Sequence, residues 1–99
     1  MKYIFQSINF NSEDKLINLV KKRTNKLKLF FNKINSVQVY AKLKNNNTSL
    51  NKEVELMISL PGENLIARKT SYSFESSLKL VLSKIFRMLK KRKYKLKNI

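Results

Sequence analysis

Cysteine is absent from the 99-residue chain, and so is histidine. The first absence excludes disulfides and thiolate metal sites. The second removes the usual zinc ligand and the usual general base. A single glycine rules out a Gly-rich phosphate loop, and with a single proline it argues against a linker-rich or disordered chain. Acidic residues are scarce: six, scattered along the chain. The closest pairs, Glu13–Asp14 and Glu53/Glu55, lack the further oxygen ligands a hard cation needs. No catalytic constellation can be assembled from what remains, so no enzyme activity and no cofactor are expected. Long apolar runs are missing too, and nothing approaches the ~18 residues of a membrane-crossing helix. The opening residues, Met1 to Gln6, lack an apolar stretch followed by a small-residue cleavage site. The expected location is the cytoplasm.

What is present is positive charge. Lys and Arg total 22 against six Asp and Glu, a formal net charge of +16. Such density repels itself in a compact monomer, and a polyanion would relieve it. Nucleic acid is the commonest polyanion, with an anionic membrane surface as the competing reading. The length is that of one domain, and with 42% hydrophobic residues the composition supplies one core. We therefore expect a single domain over residues 1–99.

Hydrophobic periodicity sets the order of elements. Residues 2–9, rich in Tyr, Ile and Phe, predict a strand of unclear facing: Tyr3 and Phe5 fit one side, Ile4 and Ile8 the other. Ser12 is the expected cap of a helix over 13–31, with Glu13 and Asp14 at the positive end of its dipole. Its apolar stripe runs Leu16, Ile17, Val20, Leu27, Phe31 and Ile34, with Thr24 filling a gap. Residues 36–44 alternate, Val37, Val39, Ala41 and Leu43 against Gln38, Tyr40, Lys42 and Lys44. A polar loop over 45–49 leads to a second alternating strand, 52–60, with Val54, Leu56, Ile58 and Leu60 inward. Pro61-Gly62 is a turn signal: Pro presets φ and Gly supplies a positive φ. A returning strand follows over 64–70. Ser73 is the expected cap of a second helix over 74–95, whose stripe is Phe74, Leu78, Val81, Ile85, Met88 and Leu89. The class is α+β, in the order β-α-β-β-β-α. Strands 2 to 4 should pair antiparallel, and both helices should cover one face of a four-stranded sheet.

The second helix holds the strongest constellation. Lys84, Arg87, Lys91 and Lys95 are three, four and four residues apart and share one face. Lys90, Arg92, Lys93 and Lys97 widen it. No acid follows Glu75, so no neutraliser is visible along this stretch. A solvated basic helix end would need one or two cations to suit the dipole; eight between Lys84 and Lys97 point to polyanion binding. The first helix adds Lys21, Lys22, Arg23, Lys26 and Lys28, and the second strand Lys42 and Lys44. Arg23, Arg87 and Arg92 can make bidentate phosphate contacts that Lys cannot. Tyr40 and Tyr94 lie among cations, where a cross-strand pair and a surface residue are the favoured readings over base stacking. Phe30, Phe31, Phe74 and Phe86 are expected at the core or its edge.

These residues, in this order, resemble the short ribosome hibernation-promoting factors, or ribosome-associated inhibitors, of bacteria (the sigma-54 modulation protein family). The resemblance covers nearly the whole chain. It is carried by Lys26-Leu27 with Phe30-Phe31-Asn32-Lys33-Ile34, by the strand Val37 to Lys44, and by the turn Leu60-Pro61-Gly62-Glu63-Asn64. Lys84-Ile85, Arg87, Leu89, Lys91, Lys93, Lys95 and Leu96 match the family's second-helix signature. Lys79 departs from an acid common early in that helix, and Met88 from a common Gln. The resemblance implies a sheet with two parallel helices on one face, similar to double-stranded RNA-binding domains. It implies a chain that is monomeric when free and binds the small ribosomal subunit's rRNA, and so the whole ribosome, in the channel of mRNA and tRNA near the decoding centre. There it competes with both, blocks translation under stress and preserves idle ribosomes. Carried over by motif, the RNA-binding positions are Arg23, Lys26, Lys84, Arg87, Lys91, Lys93 and Lys95; their basic neighbours Lys22, Lys90 and Arg92 complete the candidate surface. A generic double-stranded RNA-binding module is the alternative.

Overall fold

Alternation in three strands builds the inner face of a sheet. β2 (Ser36–Leu43) turns Val37, Val39 and Ala41 inward, and β3 (Lys52–Leu60) turns Val54, Leu56, Ile58 and Leu60 inward. β4 (Glu63–Ser71) adds Leu65 and Ala67. β1 (Lys2–Ile8) packs Tyr3 and Phe5 against this core, which resolves its facing; Ile4 lies on the other side, 48% exposed. These elements are taken from a computed structural model that describes the backbone of residues 1–45 and 48–97, and side chains as far as Tyr94. Asn46 and Asn47, in the expected polar loop, lie outside the described residues.

The strands lie in the order β1-β2-β3-β4. β1 and β2 are parallel, which requires a crossover; β2–β3 and β3–β4 are antiparallel and need only short connections. At the β3–β4 turn Gly62 takes φ 76°, the positive value that the Pro-Gly pair called for.

The crossover is α1 (Asp14–Phe30), which buries Val20, Thr24 and Leu27. Thr24 is tolerated in that stripe because its hydroxyl donates to Val20 O and Lys21 O, at 2.9 and 3.1 Å. The expected Ser12 cap is not made. Glu13 holds the N-cap position without a side-chain bond, and the Ser12 hydroxyl is bonded instead to Ser7 of β1. The chain leaves β1 through Asn9 at φ 68°, and Ser12 then ties the start of α1 to the strand. α2 (Phe74–Lys97) buries Leu78, Val81, Leu82, Ile85 and Leu89. Its cap is Ser73, whose hydroxyl accepts from Ser76 N at 3.0 Å. Below that cap Ser77 Oγ reaches Lys52 O at 2.6 Å and Ser71 Oγ at 2.7 Å, so a buried serine pair fixes the start of α2 to β3 and β4.

The inward residues of all four strands and the stripes of both helices form one cluster, so both helices cover the same sheet face. They also run the same way. At one end Leu16 of α1 and Phe74 of α2 line one cleft with Phe10, whose ring stacks on Phe74 at 4.4 Å. At the other end Phe30 meets Phe86 edge-on at 5.3 Å, with Lys93 beyond it.

Candidate nucleic-acid interface

The same periodicity that buries the helix stripes fixes where the cations go. On α1, with Val20, Thr24 and Leu27 turned inward, Lys21, Lys22, Lys26 and Lys28 are exposed and Arg23 half-buried. On α2, with Val81, Leu82, Ile85 and Leu89 inward, Lys84, Arg87, Lys90 and Lys91 are exposed. Because the helices lie side by side and run in one direction, their basic stretches converge on the side away from the sheet. The two helices hold fifteen basic and two acidic residues, a balance of +13 within the chain's +16; the four strands hold five basic and three acidic. Charge is thus segregated by layer.

Ion pairing deepens that segregation. On the open sheet face Lys42 lies 3.8 Å from Glu53 and 3.5 Å from Glu55, Lys44 is 3.6 Å from Glu53, and Arg68 is 3.5 Å from Glu55. Glu53 is itself buried under its two lysines. Lys42 and Lys44 therefore belong to an ion-pair network on the opposite face, three cations around two carboxylates, and do not extend the basic surface. Among the described residues, the candidates Lys22, Arg23, Lys26, Lys84, Arg87, Lys90 and Lys91 take part in no ion pair, and neither do Lys21 and Lys28 beside them; all are left for an outside anion.

Three candidates are placed differently. Arg92 does have a neutraliser: Glu63, at the start of β4, receives its Nη2 at 2.5 Å and its Nε at 3.3 Å, while Nη1 donates to Met88 O. That carboxylate raises the guanidinium's pKa and occupies the fork expected to hold a phosphate. Proximity along the chain could not reveal this pairing, because Glu63 lies 29 residues upstream and the fold brings it across. Lys93 folds back onto α1, with Nζ 3.2 Å from Phe30 O and 4.6 Å from the Phe30 ring centre, a cation–π contact. It also holds charge at the carbonyl end of that helix. Lys95 lies on α2, but its side chain is outside the described residues.

Tyr94, expected as a surface residue, stands where the helices meet. Phe30, Lys90, Lys93 and Tyr94 line a shallow depression of about 180 Å³. Tyr94 is 58% exposed there. Tyr40, by contrast, donates its hydroxyl to Gln38 Oε1 at 2.8 Å on the sheet face, away from the helices. Among the described residues no helix is long and apolar enough to cross a membrane, and no three His, Cys, Asp or Glu side chains gather as metal ligands.

The family model described as Sigma 54 modulation protein / S30EA ribosomal protein matches residues 3–97. Two solved structures share the fold. A ribosomal subunit interface protein from Coxiella burnetii superposes with a TM-score of 0.77 at 19% identity, covering 94% of this chain and 96% of that one. The N-terminal domain of Protein Y from Thermus thermophilus gives 0.72 at 16% identity, covering 91% and 93%. No curated relative matches the chain significantly.

Proposed function

The chain belongs to the Sigma 54 modulation protein / S30EA ribosomal protein family, and from that premise we propose that it is a ribosome hibernation factor: it binds rRNA of the small ribosomal subunit in the mRNA and tRNA channel, blocks translation and preserves idle ribosomes. The observation that carries this reading is the layered charge. Among the described residues, seven of the candidate cations of α1 and α2 are free of ion pairs, while the carboxylates of the open sheet face are bound to their own lysines and arginine. Lys and Arg neutralise phosphates and release condensed counterions, which gives affinity without reading base sequence. Arg23 and Arg87 are the forks left for bidentate phosphate contacts. Inhibition on this account needs no catalytic residue and no cofactor, only occupancy of a channel that mRNA and tRNA also require.

The test is co-sedimentation of the purified protein with bacterial small subunits, with and without bound mRNA and initiator tRNA. The proposal expects saturable binding that the two ligands together displace. Binding that ignores both, or that free duplex RNA competes away equally well, would instead support a general double-stranded RNA-binding module.

A further inference from the structure

We infer that the depression at the α1–α2 junction is a seat for one unpaired nucleobase, with the Tyr94 ring as stacking platform and Lys90 as the contact for the adjoining phosphate. This inference rests on the RNA-binding reading above and sharpens it.

The fold gives Tyr94 no structural task. The core is closed by Ile85, Phe86 and Leu89 on α2 and by Leu27 and Phe31 at the end of α1. Tyr94 lies beyond them, 58% exposed among Lys90, Lys91, Arg92 and Lys93. An aromatic ring in water amid cations is a poor helix-surface choice on its own account, and it has what a base needs: a flat apolar face beside positive charge. The floor is already organised. Phe30 is held by the edge of Phe86, and Lys93 is tied to Phe30 by its carbonyl and its ring, so neither has to be ordered on binding. Lys90, exposed and without an ion pair among the described residues, stands at the rim.

The chemistry selects the ligand. A phosphate would need only the cations. A paired base hides its faces inside the duplex stack, so the ring can be used only by a nucleotide that is unpaired and turned out. Base–aromatic stacking tightens binding by roughly 5- to 150-fold per base. Stacking releases no counterions, so it changes affinity without changing the salt slope.

The experiment measures binding to isolated bacterial small subunits from 50 to 200 mM salt, for the wild type and for Tyr94→Phe, Tyr94→Leu, Tyr94→Ala and Lys90→Gln. The expected result is about a tenfold loss for Tyr94→Ala, the fold-change that corresponds to 1.4 kcal/mol, with the salt slope unchanged. Tyr94→Phe should bind like the wild type. Tyr94→Leu, apolar but not planar, should not. Lys90→Gln should lose affinity and flatten the slope. Thermal unfolding of Tyr94→Ala should match the wild type, since the ring is exposed. If the wild type binds well and Tyr94→Ala binds equally well, or Tyr94→Leu restores affinity, the base seat is overturned while the RNA reading stands. If the wild type shows no saturable binding, both fall together.

Discussion

Two hydroxyls face each other across the β1–α1 contact, and they are treated unequally. Thr24 satisfies its own by donating into its helix, whereas the Tyr3 hydroxyl is shut from solvent and, among the described residues, has only the already engaged Thr24 hydroxyl nearby, with no well-formed hydrogen bond. Burial raises the Tyr3 phenol's pKa above its ordinary value, and the neighbouring Thr24 offsets part of that rise. An unsatisfied buried hydroxyl is a cost that its removal relieves. Tyr3→Phe should therefore leave stability unchanged or raise it, by up to ~1 kcal/mol in urea unfolding. The pH dependence has a definite sign. A phenol whose folded pKa is raised contributes stability that is complete below the unfolded value and is lost as pH rises through the folded one. Wild-type stability should thus fall more steeply on the alkaline side than that of Tyr3→Phe; parallel alkaline curves would contradict the burial of this group. Ser77 is the opposite case. Its hydroxyl joins Lys52 O and Ser71 inside the structure, so Ser77→Ala should cost roughly 1–3 kcal/mol, because the partners lose their bond and cannot reach water.

At the scale of elements, α2 is secured at its start by the Ser73 cap and the Ser71–Ser77 pair, and further along by Arg92 on Glu63 and Lys93 on Phe30. The Arg92–Glu63 pair is partly exposed at both ends and belongs to the class that contributes little to stability. Its interest is functional. Glu63→Gln should leave unfolding nearly unchanged yet tighten binding to small subunits and steepen its salt dependence, because it releases Arg92 and removes a negative charge beside the basic face. Weaker binding would mean that the pair positions α2 for its target. The order and pairing of the elements were legible in the sequence because period 2 and period 3.6 are local signals, as in Val37-Val39-Ala41 and Leu78-Val81-Ile85. So was the basic face, which follows from the same periodicity. What escaped was non-local or short-range polar bonding. Ser12 had the composition of a cap but found Ser7; Lys42 and Lys44 had the composition of a basic strand but found Glu53 and Glu55; Arg92 found an acid from a distant turn. No pattern of hydrophobicity encodes those partners. They depend on register, which sets Lys42 opposite Glu53 and Arg68 opposite Glu55.

As a whole the molecule is an elongated slab of 49 × 23 × 19 Å in which apolar matter separates two surfaces of different electrical character. One is a helical layer at +13, the other a sheet face whose carboxylates are each paired with neighbouring cations, in strands that together carry only +2. On the proposed function, a uniformly charged protein would attract RNA from any side, whereas this distribution of charge directs the attraction to one. At physiological salt the screening length is ~8 Å, so charge on the sheet face contributes little to phosphates held at the helices. The measurement that tests this most directly compares two variants of equal net charge in binding to small subunits across a salt series. Arg87→Glu with Lys91→Glu reverses two cations of the helical layer; Lys2→Glu with Arg68→Glu reverses two on the sheet side. With both variants folded, the account predicts that the helix variant loses at least about 100-fold in affinity and flattens the salt slope by about two phosphate contacts, whereas the sheet variant changes affinity only a fewfold. Equal losses in the two variants would contradict it, since binding would then follow total charge and not the face formed by α1 and α2.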